Sequence, residues 1–126
     1  MIVFIDDEKE ILDVYLQYMS LEMPERLCFT FSNPIEGIDF IVKHKQLISV
    51  VVVDQNMTPM RGIEVIKSLR LLDVDCKFII NTGCENPVDS MDLIYFEGIL
   101  NGSHKTVFSE KCYSIVEKIR EILKDG

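Results

Sequence analysis

The sequence predicts an α/β fold, a parallel sheet covered by helices on both faces, and three observations carry that prediction. Short runs of β-branched and aromatic residues alternate with longer stretches whose apolar residues recur at helical spacing. Two of the runs, Ile2-Val3-Phe4-Ile5 and Ile48-Ser49-Val50-Val51-Val52-Val53, have the length and near-continuous apolar character of strands buried on both faces. Both end in acid, at Asp6-Asp7 and at Asp54, so three carboxylates are expected at the sheet edge where open α/β sheets hold their sites.

The first strand is followed by a helix that Asp7 is expected to cap, with Glu8 and Glu10 in its first turn. Leu12, Tyr15, Leu16 and Met19 form its apolar side, and it should end near Met23-Pro24. Leu27-Cys28-Phe29-Thr30-Phe31 predicts a second strand. Asn33 and Pro34 then open a helix as cap and first residue, with Ile35, Ile38, Ile41 and Val42 as its buried stripe. The third strand ends at Asp54; a loop through Gly62 leads to a helix carrying Val65, Ile66 and Leu69. Lys77-Phe78-Ile79-Ile80-Asn81 predicts the fourth strand, residues 82–86 a turn, and Pro87 the start of a helix through about Phe96. Gly98-Ile99-Leu100-Asn101 is the expected fifth strand. The last helix opens near Ser109, with Cys112, Ile115, Val116, Ile119, Ile122 and Leu123 on one face. Five strand-helix pairs in strict alternation give a flavodoxin-like, doubly wound five-stranded sheet of order 2-1-3-4-5 with five helices, in which strands 1 and 3 lie side by side.

With 126 residues the chain reads as one domain, 1–126. Asp and Glu total 21 against 13 Lys and Arg, a formal net charge of -8, and no basic block could track a phosphate backbone, so direct nucleic-acid binding is not expected. No apolar run approaches a membrane span and none at the start resembles a signal peptide; the expected localisation is cytoplasmic. Cys28, Cys76, Cys84 and Cys112 lack the close pairing of a zinc site and the density of a disulfide framework, and read as reduced thiols.

Alone, Asp6-Asp7 reads as an acidic turn that caps a helix. Asp54 at the end of a valine run is harder to explain by structure, because an ionised carboxylate beside a core needs partners. Three carboxylates at one edge tolerate one another only with a cation or a lysine beside them. Taken in order, Asp6-Asp7, Asp54 with Met57-Thr58-Pro59-Met60-Arg61-Gly62, Thr82-Gly83 and Lys105 resemble the receiver domain of two-component response regulators over essentially the whole chain.

The resemblance implies a phosphoacceptor at Asp54, whose carboxylate takes a phosphoryl group from a phosphohistidine on a sensor histidine kinase or histidine phosphotransfer protein. It implies Mg²⁺ held by Asp7, Asp54 and the backbone carbonyl of Asn56, with Asp6 acting mainly through metal-bound water. Thr82 would supply a hydroxyl and Lys105 a cation to the phosphoryl oxygens, while Gly83 and Cys84 border the access to the site. The domain would be a signalling switch and not an enzyme in the ordinary sense, losing its phosphoryl group slowly. It would be read through the surface between the fourth and fifth predicted helices. A homodimer through that surface, and the downstream effector, are left open.

The sequence departs from the family at three places. Thr58 stands where Pro is usual, Thr106 follows Lys105 where Pro is common, and Gly102 occupies the place of the strand-5 aromatic. The last two departures motivate a first rival, a degenerate receiver acting as a phosphorylation-independent interaction module. A second rival is a Mg²⁺-dependent aspartyl-phosphate phosphatase of the haloacid dehalogenase class. That class requires Asp two residues after the nucleophile, where this chain has Asn56.

Overall fold

The computed structural model describes residues 1–81, 106–109 and 114–124. Its strands are β1 (Ile2–Ile5), β2 (Cys28–Phe31), β3 (Val50–Val53), β4 (Lys77–Asn81) and β5 (Thr106–Ser109). Its helices are α1 (Lys9–Glu22), α2 (Pro34–Lys43), α3 (Gly62–Leu71) and α4 (Ser114–Lys124). Every strand pairing is parallel, in the order β2-β1-β3-β4-β5.

The period of two along the strands divides the interior into two cores. Val3, Ile5, Val51, Val53, Phe78 and Ile80 pack on one face with Ile41 of α2 and Ile63, Val65, Ile66 and Leu69 of α3. Ile2, Phe4, Val50, Val52 and Ile79 pack on the other with Leu12, Tyr15 and Met19 of α1 and Ile115, Val116, Ile119 and Ile122 of α4. Phe4 stacks on Tyr15 with ring centroids 5.1 Å apart. Cover on both sides explains why β1 and β3 are apolar at every position. Among the described residues no helix is long and apolar enough to cross a membrane.

The helix ends follow their capping chemistry, with two differences from expectation. Asn33 caps α2 as read from sequence, its side-chain oxygen accepting from Ile35 N at 2.9 Å and Glu36 N at 3.4 Å. At α1 the expected cap, Asp7, is not used. Asp6 Oδ1 instead accepts from Glu8 N at 2.9 Å, the two-residue reach of an Asx turn. In α2 the expected stripe is rotated: Ile35 is 51% exposed, and Pro34 and Gly37 are buried with Ile41. Gly37 lets the side chain of Ile5 approach to where a Cβ would stand 2.7 Å from Ile5 Cδ1.

The fifth strand is Thr106–Ser109, where the sequence led us to expect 98–101. Thr106, Val107 and Phe108 are β-branched or aromatic, whereas 98–101 begins with Gly and ends with Asn, both poor strand formers. Ser109 therefore ends a strand, and the last helix is described from Ser114. Residues 98–101 and the helix expected over 87–96 lie outside the described residues.

Removing the α2 cap with Asn33→Ala should lower unfolding free energy by about 1 kcal/mol in urea titrations. Cys76, 5% exposed, has its thiol pushed up to about 12, chiefly by burial and then by the charge of Asp75, with Arg70 opposing. Below about pH 9 this thiol is neutral folded and unfolded; above it only the unfolded chain ionises. Stability should therefore fall as pH rises from 9 toward 12, and less steeply in Cys76→Ala; equal slopes in the two proteins would contradict the assignment.

Candidate metal centre at the carboxyl edge of the sheet

The ends of β1 and β3 are tied together by backbone. Ile5 pairs with Val53 in the parallel register, and Asp54 N donates to Ile5 O at 3.0 Å. On the other side Asp6 N donates to Phe31 O at 3.1 Å, so Asp6 leaves the sheet bonded to β2 while Asp54 leaves it bonded to β1. The two side chains that follow the paired strands emerge beside each other. Asp6 is 1% exposed and Asp54 3%, while Asp7 is exposed.

Each of Asp6, Asp7 and Asp54 brings one carboxylate oxygen into a group whose ligand atoms all lie within 4.8 Å of one another. Two unit charges about 4.8 Å apart repel by roughly 3 kcal/mol at an effective dielectric constant near 20. That is a large part of a small domain's stability, so a cation bound at this edge would be favoured.

The donor set fits a hard divalent metal. All three side-chain ligands are oxygens, with no imidazole or thiolate among them, the preference of Mg²⁺ over zinc. On one octahedral Mg²⁺ adjacent oxygens lie about 3 Å apart and opposite ones about 4 Å, so the group would contract on binding the ion.

The turn from β3 to α3 closes the site from the other side. Gln55 carbonyl accepts from Met57 N at 3.2 Å and Gly62 N at 3.1 Å, and Gln55 Oε1 accepts from Ile63 N at 3.0 Å. A Cβ on Gly62 would stand 2.6 Å from the Asp54 carbonyl oxygen, so only glycine lets α3 start this close to β3. Arg61 donates to Glu64 Oε1 through its backbone N at 3.1 Å and its Nε at 3.3 Å. The backbone bond leads the causes that hold the Glu64 carboxyl below its ordinary range.

Asp6, Asp7 and Asp54 are thus brought together, and Asn56 follows in the exposed turn. Thr82, Gly83, Cys84 and Lys105 lie outside the described residues; β4 ends at Asn81, the residue before Thr82. Because β5 is Thr106–Ser109, Lys105 precedes that strand in the chain, where the expected strand would have ended ahead of it. Sequence reading missed Gln55 and Gly62. A polar residue directly after a buried acid, and a glycine directly at a helix start, were the available signs.

At the opposite edge, a cavity of about 170 Å³ is lined by Leu16, Met19, Ser20, Pro24, Arg26 and Cys28. Burial pushes the Cys28 thiol up, which works against a reactive thiolate there.

No protein-family model matches this sequence, and neither does any curated protein. Solved structures do match its fold. A response regulator receiver domain protein from Clostridium thermocellum is 19% identical with a TM-score of 0.76, covering 98% of this chain and 94% of that one. A CheY-like receiver domain protein from Methanospirillum hungatei is 19% identical with a TM-score of 0.73, covering 99% and 97%. CheY in the CheX-CheY-BeF3-Mg complex from Borrelia burgdorferi is 14% identical with a TM-score of 0.74, covering 97% and 87%.

Replacing Asp6 by Asn keeps an oxygen for Glu8 N and removes one charge from the cluster. In the presence of a chelator the variant should be more stable than the parent by about 1 kcal/mol in urea, and added Mg²⁺ should stabilise it less. A variant no more stable than the parent without metal would show that the carboxylates do not repel.

Proposed function

We propose, given that this chain has the fold of response-regulator receiver domains, that it is a phosphoacceptor switch of a two-component or phosphorelay system, a single domain over 1–126 phosphorylated on Asp54 with Mg²⁺. The observation that carries the reading is the carboxylate group itself: three acids from the ends of adjacent parallel strands, gathered within 4.8 Å at the edge where this fold holds its site. The complete doubly wound arrangement, with a fifth helix between Pro87 and Phe96, belongs to the same proposal.

Asp7, Asp54 and the Asn56 carbonyl would hold the metal, with Asp6 reaching it through water. Bound there, Mg²⁺ would neutralise charge on the phosphoryl oxygens. Asp54 is the nucleophile: its carboxylate oxygen forms a bond to phosphorus while the bond from phosphorus to the donor's imidazole nitrogen breaks, and that nitrogen keeps the electron pair. Its backbone is held where β1 and β3 end, Asp54 N donating to Ile5 O. Thr82 would supply the hydroxyl, and Gly83 with Cys84 would leave room for the incoming group. Slow hydrolysis of the aspartyl phosphate resets the switch, so the chain turns over no substrate as an enzyme does.

Lys105 is the cation that the resemblance assigns; Lys111 is the lysine that follows β5 in the chain. Separate Lys105→Ala and Lys111→Ala variants distinguish them by which loses phosphoryl uptake. The partner is a sensor kinase or phosphotransfer protein presenting phosphohistidine, in the cytoplasm, and the added charge would be read by the surface between the helix after Pro87 and α4. That surface could also pair two copies.

The place of β5 after Lys105 favours a second reading, a receiver-like module that binds its partner without phosphorylation. Incubation with acetyl phosphate and Mg²⁺ followed by intact mass decides between them. The parent should gain one phosphoryl group and Asp54→Asn none; an unmodified parent would remove the phosphoacceptor reading and leave the second.

A further inference from the structure

The turn between β3 and α3 contains a buried amide that the proposed phosphoryl transfer does not use. α3 starts behind Arg61, whose side chain makes no cap hydrogen bond, so its leading N–H groups need acceptors from elsewhere. Gln55 supplies them across the turn, its carbonyl to Gly62 N and its side-chain Oε1 to Ile63 N at 3.0 Å. The same carbonyl accepts from Met57 N at 3.2 Å, which closes a three-residue turn with Asn56 at its centre. Gln55 is 3% exposed, and an amide buried that far is costly unless its polar atoms are used. A residue needed only to fill this space would be apolar, like the valines before it. Its oxygen instead joins the start of α3 to the strand end that bears Asp54, at the place where Gly62 presses against the Asp54 carbonyl.

We propose that Gln55 is a positioning residue for the cation site: while its main-chain carbonyl holds Met57 N and Gly62 N as any residue's would, its side-chain oxygen, by holding Ile63 N at the start of α3, fixes the turn and so the Asn56 carbonyl relative to the Asp54 carboxylate. This rests on the reading of Asp7, Asp54 and Asn56 as Mg²⁺ ligands. Groups that orient metal ligands without touching the metal commonly change affinity by about ten- to a hundredfold when removed. Methionine matches the length of Gln and cannot replace its oxygen.

The test is Mg²⁺ affinity by titration calorimetry, with urea midpoints in chelator, for the parent, Gln55→Met and Gln55→Met/Arg61→Ser. The serine offers α3 a local cap, which keeps affinity measurable should the single variant not fold. Gln55→Met should bind Mg²⁺ about tenfold more weakly, and Arg61→Ser should restore the midpoint but not the affinity. Affinity within about twofold of the parent in Gln55→Met, or recovery of affinity together with the midpoint, would overturn the proposal, since either outcome reduces Gln55 to helix stability. A parent that binds no Mg²⁺ overturns the proposal together with the reading beneath it; a binding parent beside an unaffected variant overturns the proposal alone.

Discussion

The pairing of β1 with β3 is the constraint on which the rest of the molecule depends. Their register sets Ile5 against Val53 and is closed by Asp54 N donating to Ile5 O. A slip of one residue would turn every side chain of a strand to the opposite face, exchanging Val51 and Val53 for Val50 and Val52 between two cores of different shape. Both faces are covered, so the register is held by packing on each side at once. The site inherits that stiffness, because Asp6 and Asp54 are the first residues past the paired strands.

Rigidity at this edge has an electrostatic cost. Two carboxylates nearly excluded from solvent, with a third exposed beside them, are held together by a backbone that gives them little room to separate. Part of the cost is offset locally, since Asp6 also accepts the Glu8 N–H at the start of α1. The strand ends otherwise hold three acids whose carboxylate oxygens lie within 4.8 Å of one another. The β3–α3 turn beside the cluster is pinned by Gln55 and by the missing side chain of Gly62.

Much of this architecture was legible in the chain. Valines at four successive positions announce a strand clothed on both faces, and Asn33-Pro34 announces a helix start, because each is a local effect of side-chain shape or hydrogen bonding. The three carboxylates were legible for the same reason: each directly ends an apolar run. Local pattern misled where two stretches competed for one role. Gly98-Ile99-Leu100-Asn101 has an apolar centre, yet Thr106–Ser109 occupies the sheet beside β4, with Ile79 against Val107. Ile35 lies in the apolar stripe of α2 by spacing but points outward, because Gly37 is the residue that Ile5 packs against.

The sequence by itself determined the alternation of strands and helices and the acids at the ends of the first and third strands, since strand period, helix period and caps act over a few residues. Only the tertiary structure decided that Asp6 rather than Asp7 serves α1, which residues form the last strand, and that Gln55 carries the start of α3. The last strand and the contacts of Gln55 depend on which separated segments become neighbours, and Asp6 is held for its local turn by the bond of its backbone to β2. Hydrogen bonds from Gly62 and Ile63 to Gln55, and from Asp54 to Ile5, exist only once the chain has folded back on itself.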